Sequence, residues 1–351
     1  MSAHEERRTF VTLDGLRGMA AILVVGRHVG LLGHRLGPTY LAVDLFFFLS
    51  GFVIALAYDG RLQQGGFFRQ FLAIRFIRLY PLYLLGLALG LLAYVVKYAE
   101  FPTVTLANSV LMIPSNPITP AGEPSLNIPV WTLPLELAVN IFYALFFRKL
   151  NVGVLTALVA IGAAGIVWCA YHYGTLDLGW SWHEFPVAFS RLTFSFFGGV
   201  LLFRCAPLRH RFNTLLAVAL VGVTACLLAV PLPAKLLAFY DPLMILIVLP
   251  LVVIVASRVE PSGPMAKALS LAGLTSYAVY VLHYPIGQLT MLVIDRFDHD
   301  LERFHQIDSI LFMPALLGVA WLADRHYDRP VRAWLSRRAS GMAGKVANAT
   351  S

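Results

Sequence analysis

Charge is scarce in this 351-residue chain, with Asp, Glu, Lys and Arg together making up 13% of it. A soluble domain carries about 25%, so an ordinary water-facing exterior is excluded. Cysteine is nearly absent. Cys169, Cys205 and Cys226 stand alone, which excludes a disulfide framework and a cysteine metal site. No HExxH, CxxC, G-x-S-x-G elbow or P-loop occurs, so zinc proteolysis, dithiol redox chemistry, the nucleophile-elbow hydrolases and P-loop nucleotide hydrolysis have no sequence support. Acidic residues number 19 against 27 basic ones, a net charge of +8. That excess fits basic cytoplasmic loops and does not call for a nucleic-acid partner. The first apolar stretch carries Asp14 and Arg17 with no small-residue cleavage site, so it reads as a retained helix and not a signal peptide.

What the chain has is apolar length. It is 58% hydrophobic, with a mean hydropathy of +0.73. Apolar windows bounded by turn residues and charges predict ten spans, at 10–32, 39–58, 77–97, 129–147, 152–172, 185–204, 213–231, 239–257, 268–294 and 307–326. Backbone polar groups in lipid must be satisfied within the segment, so the spans read as helices. The expected fold is an all-α polytopic integral membrane protein. Nineteen Lys and Arg fall in one set of alternating segments and five in the other. The positive-inside bias then puts both termini in the cytoplasm. Residues 1–9 read as a cytoplasmic tail, 10–335 as the membrane domain and 336–351 as a flexible tail. The outer segment Glu100–Pro129 is rich in Pro and Asn and reads as a lid, an acceptor-binding loop or a plain connection.

Ionisable residues inside the spans are costly and mark candidate function. Arg17 and His28 are eleven residues apart, which returns them to within about 20° of one helix face and about 16 Å apart along it. Asp14 can pair with Arg17. Snorkelling of Arg17 and plain packing of His28 are the bland alternatives. Asp44, early in "VDLFFFLSGFVIA", falls at about the depth of His28. It reads either as the carboxylate partner of that imidazole or as a helix cap. Ser50-Gly51 permits close approach of a ligand or a helix. Arg75 and Arg78 share a helix face and suit phosphate oxygens or lipid headgroups. In "VWTLPLELAVNIFY", Trp131 suits the outer interface, and Glu136 needs a partner, either His28 or an arginine. Tyr280 and His283 share a face of the ninth span, and Arg191 is a buried cation with no evident partner.

Five pieces occur in order: "LDGLRGMAAILVVGRHV", "VDLFFFLSGFVIA", "RFIRLYPLY", "WTLPLE" and "SYAVYVLHYP". Together, over roughly residues 10–335, they make the chain resemble the membrane-bound acyltransferase family 3, the O-acyltransferases of bacterial surface polysaccharides. The family's Arg-to-His signature falls on Arg17 and His28, its paired arginines on Arg75 and Arg78, and its aromatic SG element on Phe47, Phe48, Ser50 and Gly51. Its Trp-to-Glu element falls on Trp131 and Glu136, with Thr132 where Ser is common. Asp328-Arg329-Pro330 departs from the usual Glu-x-Pro. An SGNH hydrolase-like extension, common in the family, is not expected here.

The resemblance implies a bacterial inner-membrane enzyme with no permanently bound cofactor. Acyl-CoA, most often acetyl-CoA, would be the co-substrate from the cytoplasm. The acceptor would be a glycan or small-molecule hydroxyl, and membrane lipid would surround the protein. Arg17, Arg75, Arg78 and Ser50 would hold the donor. His28 would be the catalytic base, oriented by Asp44 or Glu136, with Trp131, Tyr280 and His283 toward the acceptor. The competing class is a transporter or flippase, for which buried Arg, His and Asp are equally suited. Against it, repeated halves and paired broken helices are not legible.

Overall fold

The computed structural model describes residues 10–28, 36–113, 125–205, 211–297 and 301–349. The helices are α1 Val11–His28, α2 Ala42–Gln63, α3 Phe68–Tyr98, α4 Thr103–Val110, α5 Thr132–Phe146, α6 Val152–Tyr173 and α7 Phe185–Cys205. They continue as α8 Thr214–Ala229, α9 Ala234–Leu243, α10 Leu249–Ala256, α11 Gly263–Phe297, α12 Leu301–Ala323 and α13 Arg329–Ala349. Among the described residues, strand pairing is confined to Arg211–Phe212 beside Val259–Glu260. The chain is an all-α polytopic membrane protein.

Ten helical bodies fall at the ten predicted spans, α9 and α10 forming one of them through a wide turn at Met244–Val248. Among the described residues, seven are long and apolar enough to cross a bilayer by length and composition. Helix α1 is held back by its charges, and α8 by its 16 residues. Helix α3 starts nine residues before its predicted span. Arg69, Arg75 and Arg78 lower the hydropathy there, yet straight-chain residues lose little freedom in a helix. The tail read as flexible after Trp334 is helical to Ala349, in keeping with its Ala, Arg and Lys content. The N-terminal tail 1–9 lies outside the described residues, as do 114–124 of the long outer segment.

Glycine sets the closest contacts. A Cβ on Gly51 would lie 2.0 Å from the Phe196 carbonyl oxygen, and one on Gly199 would lie 2.1 Å from that of Phe48. Helices α2 and α7 therefore touch backbone to backbone. Gly18 meets Ala272, and Gly273 meets Asp14, in the same way, which locks α1 against α11. The start of α1 is pinned further. The Val11 N–H donates to Glu260 Oε2 at 2.9 Å, and the Thr12 hydroxyl donates to the Val259 carbonyl. A carboxylate suits this end of a helix, where unpaired N–H groups point outward. So α1, the helix that carries Arg17 and His28, is fixed at its base and along its length.

Candidate active site

Two adjoining cavities run along α1. The first encloses about 180 Å³ near the start of α1. Arg17 from α1, Ser50 from α2, Arg75 and Arg78 from α3, Glu136 from α5 and Tyr277 from α11 line it. Arg75 donates to Glu136 Oε1 at 2.8 Å, and the Ser50 hydroxyl donates to the same oxygen at 3.0 Å. Arg78 lies over the Tyr277 ring, 5.5 Å from its centroid. Arg17 is 3.4 Å from Asp14 at its closest, a loose pair. The buried Arg75 Nε has no hydrogen-bond partner among the described residues. Three guanidiniums thus face one lining carboxylate. An apolar surround makes such a surplus costly unless an anion meets it.

The second cavity encloses about 370 Å³ at the other end of α1. It is lined by His28, Arg27, Tyr40, Trp131, Asp177, Trp180 and Tyr280, among others. Val43 and Tyr280 line both cavities, so these two side chains stand between them. The Tyr280 hydroxyl is 2.7 Å from that of Thr132 and also donates to the Pro129 carbonyl. His28 Nδ1 is 2.8 Å from the Val24 carbonyl oxygen. A carbonyl only accepts, so Nδ1 carries the hydrogen and Nε2 keeps its lone pair.

Several expectations need revision. Asp44 does not pair with His28. It is fully buried and ion-paired with Arg191, whose Nη2 donates to Asp44 Oδ2 at 2.6 Å and whose Nε donates at 3.1 Å and 3.2 Å. Nor does its side chain cap the helix. Arg191 on α7 is 2% exposed and claims the nearest buried anion, because an unpaired guanidinium there would be far more costly than a neutral imidazole. Glu136 likewise serves Arg75 and Ser50 in the first cavity and makes no hydrogen bond to His28. His283 is fully buried and does not line the second cavity. Its Nε2 is 3.4 Å from His28 Nδ1, behind the ring.

Residues that the sequence reading missed complete the second cavity. Arg27, at the end of α1, is one of them. It pairs with Asp177 and lies over the Tyr40 ring, 5.1 Å from the centroid. Asp177 sits in the loop between α6 and α7. Burial pushes its carboxyl above the ordinary range, and Arg27 opposes that. Arg191 holds this loop by donating to the Leu176 and Leu178 carbonyls at 2.9 Å and 3.2 Å. Asp241 accepts from Tyr40 and from the Leu176 N–H, at 2.8 Å each. The Trp residues of "LGWSW" were the available signal, since tryptophan favours the membrane interface.

An acyltransferase domain profile, the acyltransferase 3 family, matches residues 10–323. Three relatives align with the chain. Protein 2 in the picA locus of Rhizobium radiobacter is 36% identical over 186 residues, 47% of this chain and 96% of that protein. Peptidoglycan O-acetyltransferase OatA of Listeria monocytogenes is 24% identical over 358 residues, 93% of this chain and 56% of OatA. Acyltransferase MdmB of Streptomyces mycarofaciens is 27% identical over 176 residues, 45% of this chain and 42% of MdmB. The chain spans about half the length of the last two. No solved structure matches it significantly. With the family's motifs gathered around two neighbouring cavities and its profile covering most of the sequence, the chain belongs to the acyltransferase 3 family of membrane-bound acyltransferases.

Proposed function

We propose that the protein moves an acyl group, most simply acetyl, from cytoplasmic acyl-CoA to a hydroxyl on a surface or lipid-linked glycan or a small molecule, in the bacterial inner membrane. The observation that carries this reading is the cation surplus of the first cavity, which shares Val43 and Tyr280 with the cavity that holds His28. Arg17, Arg75 and Arg78 suit phosphate groups, and the unpartnered Arg75 Nε is a donor still to be used. The basic end of the bundle is then cytoplasmic, as the loop charges require.

The pantetheine arm would pass Tyr280 and bring the thioester to His28. His28 Nε2 takes the proton of the acceptor hydroxyl as its oxygen attacks the thioester carbonyl carbon. The carbon–sulfur bond breaks, and the thiolate leaves with the proton held by His28. Low water content around the thioester favours transfer over hydrolysis. Trp131 and Trp180 offer ring faces for an acceptor in the same cavity as His28. The relatives' names agree in kind, peptidoglycan O-acetylation for OatA and acyl transfer for MdmB.

The test is acetyl-CoA binding to the purified full chain by calorimetry, wild type beside Arg75→Ala/Arg78→Ala and His28→Ala. Binding is expected to weaken in the double variant by about ten- to a hundredfold, the size of lost charge-assisted hydrogen bonds. His28→Ala is expected to bind donor as wild type does and to transfer nothing. Failure of folded wild type to bind any acyl-CoA overturns the donor assignment.

A further inference from the structure

Neither imidazole at the end of α1 is hydrogen-bonded to a carboxylate among the described residues. His28 Nδ1 faces the Val24 carbonyl at 2.8 Å and His283 Nε2 at 3.4 Å. His283 Nδ1 faces the Tyr280 carbonyl at 2.7 Å and the Val279 carbonyl at 3.2 Å. The two rings are 5.2 Å apart, centroid to centroid, and tilted by 51°. His283 is 0% exposed.

These contacts fix both tautomers. Backbone carbonyls only accept, so each Nδ1 carries hydrogen. His283 Nε2 then bears a lone pair 3.4 Å from His28 Nδ1, where it is a second acceptor, beside the closer Val24 carbonyl, for the one hydrogen on the neutral His28 ring. His28 Nε2 is left bare. The arrangement has the logic of a catalytic triad with a neutral imidazole where the carboxylate would stand. It rests on the proposed function above.

We infer that His283 is a positioning residue. Through its Nε2 it joins the Val24 carbonyl in holding His28 in the tautomer that leaves Nε2 free, and it shares the Nδ1 hydrogen more strongly when His28 becomes imidazolium. The charge that forms on His28 during transfer has no carboxylate hydrogen-bonded to the ring among the described residues. Asp44 belongs to Arg191, and Glu136 to Arg75 and Ser50. Asp177 lines the cavity that holds His28 but is ion-paired with Arg27. A second imidazole is a basic neutral acceptor that adds to the Val24 carbonyl, and the 3.4 Å contact tightens as the donor gains charge. No bond is made or broken at His283. The proton taken by His28 Nε2 goes to the departing thiolate.

The experiment compares His283→Leu with His283→Gln in the full chain. Leucine fills the space without accepting a hydrogen bond. The glutamine side-chain amide oxygen can stand where Nε2 stood. Two readouts are taken: thiol release from acetyl-CoA with a panel of neutral oligosaccharides, and the rate of His28 carbethoxylation by diethyl pyrocarbonate, mapped by mass spectrometry. The leucine variant is expected to lose at least about tenfold in kcat with donor KM unchanged, and to be modified several-fold more slowly at His28. Glutamine is expected to restore most of both. Equal loss in the two variants, or no loss in either, overturns the inference and leaves His283 as packing. The carbethoxylation order needs no acyl transfer. If it holds while wild type and variants alike release no thiol, the proposed function fails and only the hold of His283 on the His28 ring stands. If His28→Ala abolishes transfer while His283→Leu matches wild type in both readouts, only the role of His283 fails.

Discussion

Removing the Asp44 carboxylate separates a catalytic role from a structural one. Asp44→Ala leaves the Arg191 guanidinium 2% exposed with only the Tyr40, Leu176 and Leu178 carbonyls for company. Stranding one partner of a buried ion pair costs about 3–5 kcal/mol. Asp177 and Asp241 are near enough to be felt by Arg191, so the lower end applies, about 3 kcal/mol. For a chain of this size that is about 6 °C of melting temperature, at roughly 2 °C per kcal/mol. Asp44→Asn keeps an acceptor for the guanidinium and should lose about half as much. The assay is thermal unfolding in detergent, followed by tryptophan fluorescence at a fixed scan rate, because membrane proteins often unfold irreversibly. Arg191→Met is then added to Asp44→Ala. The double variant should lose less than the two single variants together, since the stranded charge is gone. An Asp44→Ala protein that melts like wild type and transfers no acyl group would refute this reasoning and return Asp44 to the catalytic machinery.

Three further outcomes are expected. Gly51→Ala puts a methyl 2.0 Å from the Phe196 carbonyl oxygen, so α2 and α7 must separate. A cost of about 1–3 kcal/mol should appear as lower yield and melting temperature, whereas Gly222→Ala on α8, with open space at its Cβ, should be neutral. Burial raises Glu260 from its ordinary 4.5 to about 7. Native protein then holds this proton more tightly than unfolded chain, so its contribution is full below about pH 4.5 and lost as pH rises through 7. The advantage of wild type over Glu260→Gln in melting temperature should therefore shrink across that window, and a constant difference would contradict the assignment. Asp177→Asn breaks the ion pair with Arg27 in the second cavity. It should alter acceptor KM while donor binding by calorimetry stays unchanged.

The sequence by itself determined the class of the protein, because lipid enforces a rule that is local to each segment. About twenty apolar residues with no unpaired backbone groups must be a helix. The apolar helices, the shared face of Arg17 and His28, and the arginine pair on α3 were readable for that reason, since each depends only on helical period. Partner choice was not readable. Asp44 and Glu136 sat at suitable depths for His28, but depth fixes one coordinate of three. The tertiary structure decided that Arg191, 147 residues from Asp44 in sequence, takes that carboxylate, and that Arg75 takes Glu136. It also decided that His283, 255 residues from His28, stands behind it. The physical reason is competition. A buried guanidinium that cannot shed its charge outbids a neutral imidazole for the nearest carboxylate, and which cation is nearest depends on helix contacts set by glycines at Gly51, Gly199, Gly18 and Gly273.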